Sequence, residues 1–102
     1  MYVLDHTIHA SALIAGGSKV SRRALREAIS GECQRVIEAC DGAEAYELSR
    51  RYVPDVIVLE GDQVVEKISR DHELSEVPVI RLDGPVEVAQ LTALVRAALQ
   101  RH

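Results

Sequence analysis

The stretch Asp55-Val-Ile-Val-Leu-Glu60 is apolar at every inner position and is bracketed by Pro54 and Gly61. A strand with one wet face alternates polar and apolar residues, so an unbroken apolar run between two breakers reads as a strand covered on both faces. Such strands belong to the centre of parallel sheets. Parallel neighbours need a crossover between them, usually a helix, and the rest of the chain has that form.

Residues 11–15, Ser-Ala-Leu-Ile-Ala, form a short apolar strand closed by Gly16-Gly17. Ser18 can cap the helix that follows, which places Val20, Ala24, Leu25, Ala28 and Ile29 on one face and ends near Gly31. Residues 34–40 give a second, more polar strand, expected near a sheet edge. Asp41 caps a second helix reaching Tyr52, with Ala45, Leu48 and Tyr52 as its stripe and Pro54 as its stop. After the 55–60 strand, a third helix occupies about 63–70 with Val64, Val65 and Ile68 inward, and residues 77–82 make a fourth strand. The last helix runs from beyond Asp83-Gly84-Pro85 to about Arg101, with Leu91, Leu94, Val95, Ala98 and Leu99 as its stripe. Strand and helix alternate four times with short connections. Right-handed crossovers then produce a three-layer α/β domain over 11–102, preceded by an extension at 1–10.

The 102 residues suffice for one hydrophobic core. Three Tyr are the only aromatics, and 12 Lys and Arg face 16 Asp and Glu, so neither a stacking platform nor a basic footprint for nucleic acid is present. The charges cancel at seven each up to Val53, and the excess acid lies beyond it. Cys33 and Cys40 on one strand would stand roughly 23 Å apart at about 3.3 Å per residue, too far for a disulfide. Both read as buried or half-buried thiols. Without a leader pattern or a membrane-length apolar run, a cytoplasmic protein is expected. His6 and His9 in the extension lack the partners of a zinc site, and neither a nucleotide-binding glycine loop nor a nucleophile triad occurs. No cofactor and no metal are expected.

Four blocks in this order carry a resemblance: 22–29 with its Arg22-Arg23 start, Val36-Ile-Glu-Ala-Cys-Asp-Gly-Ala-Glu-Ala45, Pro54-Asp-Val-Ile-Val-Leu-Glu60, and Val77-Pro-Val-Ile80. Together they resemble the receiver domain of bacterial two-component response regulators, the CheY-like class, from about Ala12 to Arg101. The resemblance implies a flavodoxin-like, doubly wound parallel sheet. It also implies a site with an acidic pair after the first strand that holds Mg²⁺, a phosphoacceptor Asp ending the third, a hydroxyl after the fourth and a Lys after the fifth.

This chain departs from that pattern at every one of those positions. The acidic pair falls on Gly16 and Gly17, which offer no side-chain oxygen to a hard cation. The acceptor position falls on Glu60, one methylene longer than Asp, in a reaction governed by positioning. The hydroxyl position falls on Asp83, which donates no hydrogen bond while ionised. Only Asp83 and Gly84 separate the fourth strand from Pro85, so the family's fourth helix, fifth strand and Lys are missing. The expected sheet is therefore shortened to four strands in the order 2-1-3-4, with the fourth as a new edge.

The expected function is a non-enzymatic, phosphorylation-independent pseudo-receiver that binds a protein partner, or itself as a homodimer, through the first and last helices and the fourth strand. Arg22, Arg23 and Arg26 form a candidate contact surface on the first helix, with Arg81 on the fourth strand, where it reaches solvent or pairs with Asp83, Asp62 or Glu60. Glu60 is either a standing mimic of a phosphorylated acceptor or a remnant. Two rival readings stay open: a phosphoacceptor using Glu60 or a nearby Asp, and a small-ligand or cation sensor in the crevice beside Gly16, Glu60 and Asp83.

Overall fold

The computed structural model describes residues 10–61, 64–84 and 87–100. Four strands, β1 (Ser11–Ala15), β2 (Arg35–Ala39), β3 (Val56–Glu60) and β4 (Val79–Leu82), alternate with four helices, α1 (Lys19–Ile29), α2 (Gly42–Tyr52), α3 (Val65–Arg70) and α4 (Val88–Leu99). All the strand pairings are parallel, and the order is β2-β1-β3-β4. This is a shortened flavodoxin-like, CheY-like sheet. Leu13 stands beside Ile37 on one neighbour and Ile57 on the other, and Val58 beside Ile80.

The period-two geometry of the strands sorts one apolar set onto each face. Ala12, Ile14, Val56, Val58 and Leu82 join Leu25, Ile29, Leu91 and Val95 beneath α1 and α4. Leu13, Ala15, Ile57 and Leu59 join Ala45, Val64, Ile68 and Leu74 beneath α2 and α3. The central strands β1 and β3 are thus sealed on both sides, while β2 and β4 are half-buried edges. The carbonyls of Pro78 and Leu82 accept from Ile57 and Gly61 at 3.0 Å each, so the proline's missing N–H lies in the row facing β3 and not in the outer row.

Local chemistry sets the helix ends. Ser18 Oγ accepts from the Ser21 amide at 3.0 Å and Asp41 Oδ1 from the Glu44 amide at 2.8 Å, satisfying first-turn donors. α2 stops at Val53, which takes the left-handed conformation with φ 41° and donates to the Ser49 carbonyl at 2.8 Å, immediately before Pro54. α4 packs against α1 through Thr92, whose hydroxyl donates to the Ala28 carbonyl at 2.9 Å, and through Arg96, which bridges to Glu32 at 2.9 and 3.2 Å. That guanidinium holds the Glu32 carboxyl below its ordinary range.

Several expected core positions face outward. Val20 is 80% exposed and Ala24 is exposed, because the buried stripe of α1 is only Leu25, Ala28 and Ile29. Leu94 and Tyr52 are likewise partly exposed, and Arg35 covers the Tyr52 ring at 4.8 Å from its centroid. Of the two thiols, Cys33 is buried and Cys40 is exposed, since β2 ends at Ala39 and leaves Cys40 on the loop rim. The extension with His6 and His9, and Asp62, Gln63 and Pro85, lie outside the described residues.

Candidate functional site

In a parallel sheet every strand delivers its C-terminal end to the same rim, where open α/β folds place their sites. Here that rim gathers the β1–α1 turn at Gly16 and Gly17, the end of β3 at Glu60, and the end of β4 at Asp83. Gly61 follows Glu60 with φ +88°, a left-handed turn that only glycine adopts without strain. Glu60, the last residue of β3, therefore projects from a sharply turned strand end.

Its carboxylate bends back onto the β1–α1 turn, where Oε1 accepts from the Gly17 amide at 3.2 Å. The space it uses exists because residue 16 has no side chain: a Cβ there would lie 2.7 Å from Glu60 Oε1 and 3.2 Å from Arg22 Cγ. At Gly17 the same Cβ would meet nothing within 4 Å. The longer acid at 60 and the missing side chain at 16 are complementary in shape.

Arg22 approaches from the opposite side. Its Nη1 donates to the Gly16 carbonyl at 2.9 Å, and its side chain is only 16% exposed. The Gly16 carbonyl and the Gly17 amide belong to one peptide group, so that group lies between a carboxylate and a guanidinium. Arg22 Nε also sits 3.9 Å from Glu38 Oε1 on β2. The other oxygen of Glu38 accepts from Arg26 Nε at 2.7 Å, and Arg26 Nη2 donates to the Val36 carbonyl at 3.1 Å.

The candidate contact residues are thus not equivalent. Arg23 is turned outward, 81% exposed, with only Glu27 at 3.6 Å on its own helix; Arg26 is half-covered against β2; Arg22 serves the site. Arg81 pairs with Asp83 at 3.4 Å through both Nε and Nη2. Asp83 shares an open hollow of about 300 Å³ with Glu60, Gly61, Leu82 and Gly84. A smaller hollow of about 140 Å³ opens on the other side of Glu60, bordered by Gly16, Gly17, Cys40, Asp41 and Val64.

The Cys40 thiol at this border is held protonated, its pKa raised first by its hydrogen bond to Glu44 and then by that residue's charge. Glu44 is itself held low by the Cys40 amide, which donates to Oε1 at 2.8 Å. Among the described residues, no three of His, Cys, Asp and Glu approach closely enough to hold a metal ion. Glu38 is the site residue that sequence reasoning missed, and Arg22 was read there only as part of a contact surface on α1. In the text both look like ordinary surface charges.

No family model and no curated protein matches the sequence. Solved structures do. The chain superimposes on a response regulator receiver modulated diguanylate cyclase from Pelobacter carbinolicus with a TM-score of 0.77 and 23% identity, over 89% of this chain and 92% of that one. It matches the chemotaxis response regulator CheY4 of Vibrio cholerae with a TM-score of 0.77 and 17% identity, over 88% and 98%. A response regulator from Desulfuromonas acetoxidans follows at 0.75 and 14%, over 89% and 97%. Likeness at these identities establishes the fold, that of a CheY-like receiver domain.

Proposed function

We propose that the chain is a receiver-like module of bacterial signal transduction that acts in the cytoplasm through protein contacts, without phosphoryl transfer or other enzymatic activity. The observation that carries this reading is the fit of Glu60 into the space beside Gly16. Phosphoryl transfer to a carboxylate needs an in-line approach and cations to neutralise the transferring oxygens. Glu60 instead turns toward the β1–α1 turn and gives one carboxylate oxygen, Oε1, to the Gly17 amide, and the residues at 16 and 17 bring no carboxylate of their own. A mere remnant would not require a side chain to be absent opposite it. The carboxylate works as a built-in occupant of the site.

Incubation with acetyl phosphate and Mg²⁺ followed by intact-mass measurement tests this. No added phosphoryl group is expected, and a labile gain of one would overturn the reading. Thermal-shift screening with nucleotides and divalent cations addresses the small-ligand alternative, with no rise in melting temperature expected.

For the partner we favour a second copy of the chain. β4 is a terminal strand whose Val79 and Ile80 are only half-buried, and terminal strands left uncovered are templates for another chain. Sedimentation over a concentration series should show a dimer, and a monomer throughout would exclude that assignment.

A further inference from the structure

The peptide between Gly16 and Gly17 is gripped at both ends, its N–H by Glu60 and its C=O by Arg22. Hydrogen bonds that share a polar group polarise one another, so a charge change at one end is felt at the other. The chain of contacts continues from Arg22 to Glu38, then Arg26, then the Val36 carbonyl on the edge strand β2. With a glycine on each side, no Cβ opposes rotation of this peptide about its two flanking bonds.

We infer that the 16–17 peptide is a rotatable link coupling Glu60 to the rim formed by α1 and β2, with Arg22 as its positioning residue. This deepens the reading above by naming where the state of the site is expressed: at Arg26, Glu38 and the β2 edge, on the side of the sheet away from β4. Whatever engages or neutralises Glu60 releases the Gly17 amide, the peptide turns, and Arg22 loses its carbonyl. Its guanidinium is then left to Glu38, in competition with Arg26. A partner seated on that rim reports on Glu60 without touching it.

The test uses ¹⁵N-labelled full chain with no phosphoryl donor, so its failure is separate from failure of the phosphorylation-independent reading. Glu60→Gln keeps the length and an acceptor oxygen and removes the charge. We expect Gly17 amide exchange to accelerate about fivefold or more, as a charge-assisted hydrogen bond becomes a neutral one. The Nε–H resonances of Arg22 and Arg26 should shift with it, while that of Arg96, which pairs with Glu32 at the far end of α1, stays in place. Because coupling is reciprocal, Arg22→Lys in the presence of intact Glu60 should alter Gly17 exchange in turn.

Gly16→Ala gives a third route, displacing the carboxylate without changing any charge. Unmoved Arg22 and Arg26 signals in Glu60→Gln would overturn the inference. So would shifts that include Arg96, which would mark general loosening, or a Gly17 amide indifferent to Arg22→Lys. Should Glu60→Gln fail to fold, the Arg22→Lys arm decides alone.

Discussion

Replacing Gly16 by alanine separates a glycine kept for space from one kept for flexibility, and Gly17→Ala is its internal control. Neither residue has a positive φ, so neither substitution strains the backbone, and both gain the same roughly 0.4–1 kcal/mol from a less mobile unfolded chain. At 17 the new methyl meets nothing within 4 Å, and that variant should be neutral or slightly more stable. At 16 it lands 2.7 Å from Glu60 Oε1 and 3.2 Å from Arg22 Cγ. The carboxylate must swing out, losing its bond to the Gly17 amide at about 1 kcal/mol for an exposed acceptor, and Arg22 must give way for a few tenths more. The expected gap between the two variants is therefore about 1–1.5 kcal/mol. For a domain this size that is a difference in Tm on the order of 5–10 °C, read by thermal or urea unfolding of the pair under identical conditions. Adding Glu60→Ala to Gly16→Ala should remove most of the gap, because the methyl then enters empty space. Equal stabilities for the two single variants would refute the shape argument on which the site rests.

Val53→Gly should stabilise the chain by a net of about 0.5–1 kcal/mol. A β-branched residue in the left-handed region costs more than the extra unfolded-state freedom of glycine, and chemical denaturation would read the gain. The hydroxyl of Tyr46 donates to Asp71 Oδ2 at 2.7 Å and is the largest cause holding that carboxyl below its usual pKa. A lowered carboxyl pKa contributes stability above the unfolded-state value and loses it as pH falls through the folded one. Tyr46→Phe should therefore weaken the fold at neutral pH, and its deficit against wild type should narrow as pH falls through the carboxyl range, as acid-unfolding curves would show. Burial pushes the Cys33 thiol up to about 11 and shields it from reagents, whereas Cys40, though its pKa is also raised by Glu44, is exposed. One thiol should react with an aromatic disulfide in the native state and two after unfolding, with peptide mapping placing the native adduct on Cys40.

The layered architecture is readable in the text because each element announces itself locally. The apolar run at 56–59 could only be central, and Glu38 and Arg35 within the second strand marked it as an edge. The strand order was what the resemblance to receiver domains implies, shortened by one strand because residues 77–82 run almost directly into Pro85. Side-chain exposure was less legible. Val20 and Ala24 continue the apolar spacing of α1, yet both are exposed, and the face that α1 buries is confined to Leu25, Ala28 and Ile29. The site was legible only as a set of departures. That Gly16 and Glu60 fit together depends on a distance between residues 44 positions apart, and nothing in either residue's surroundings in sequence records it. For the same reason the three arginines of α1 looked alike until their separate partners placed one in the site, one against β2 and one in solvent.

The packing of α4 against α1 ties the last helix of the fold to the first. Thr92 and Arg96 satisfy groups at Ala28 and Glu32, and Leu91 and Val95 complete the cover over Leu25 and Ile29. A chain growing from its amino terminus thus carries one flank of its sheet unroofed until α4 has emerged, so the face beneath α1 and α4 closes after the one beneath α2 and α3.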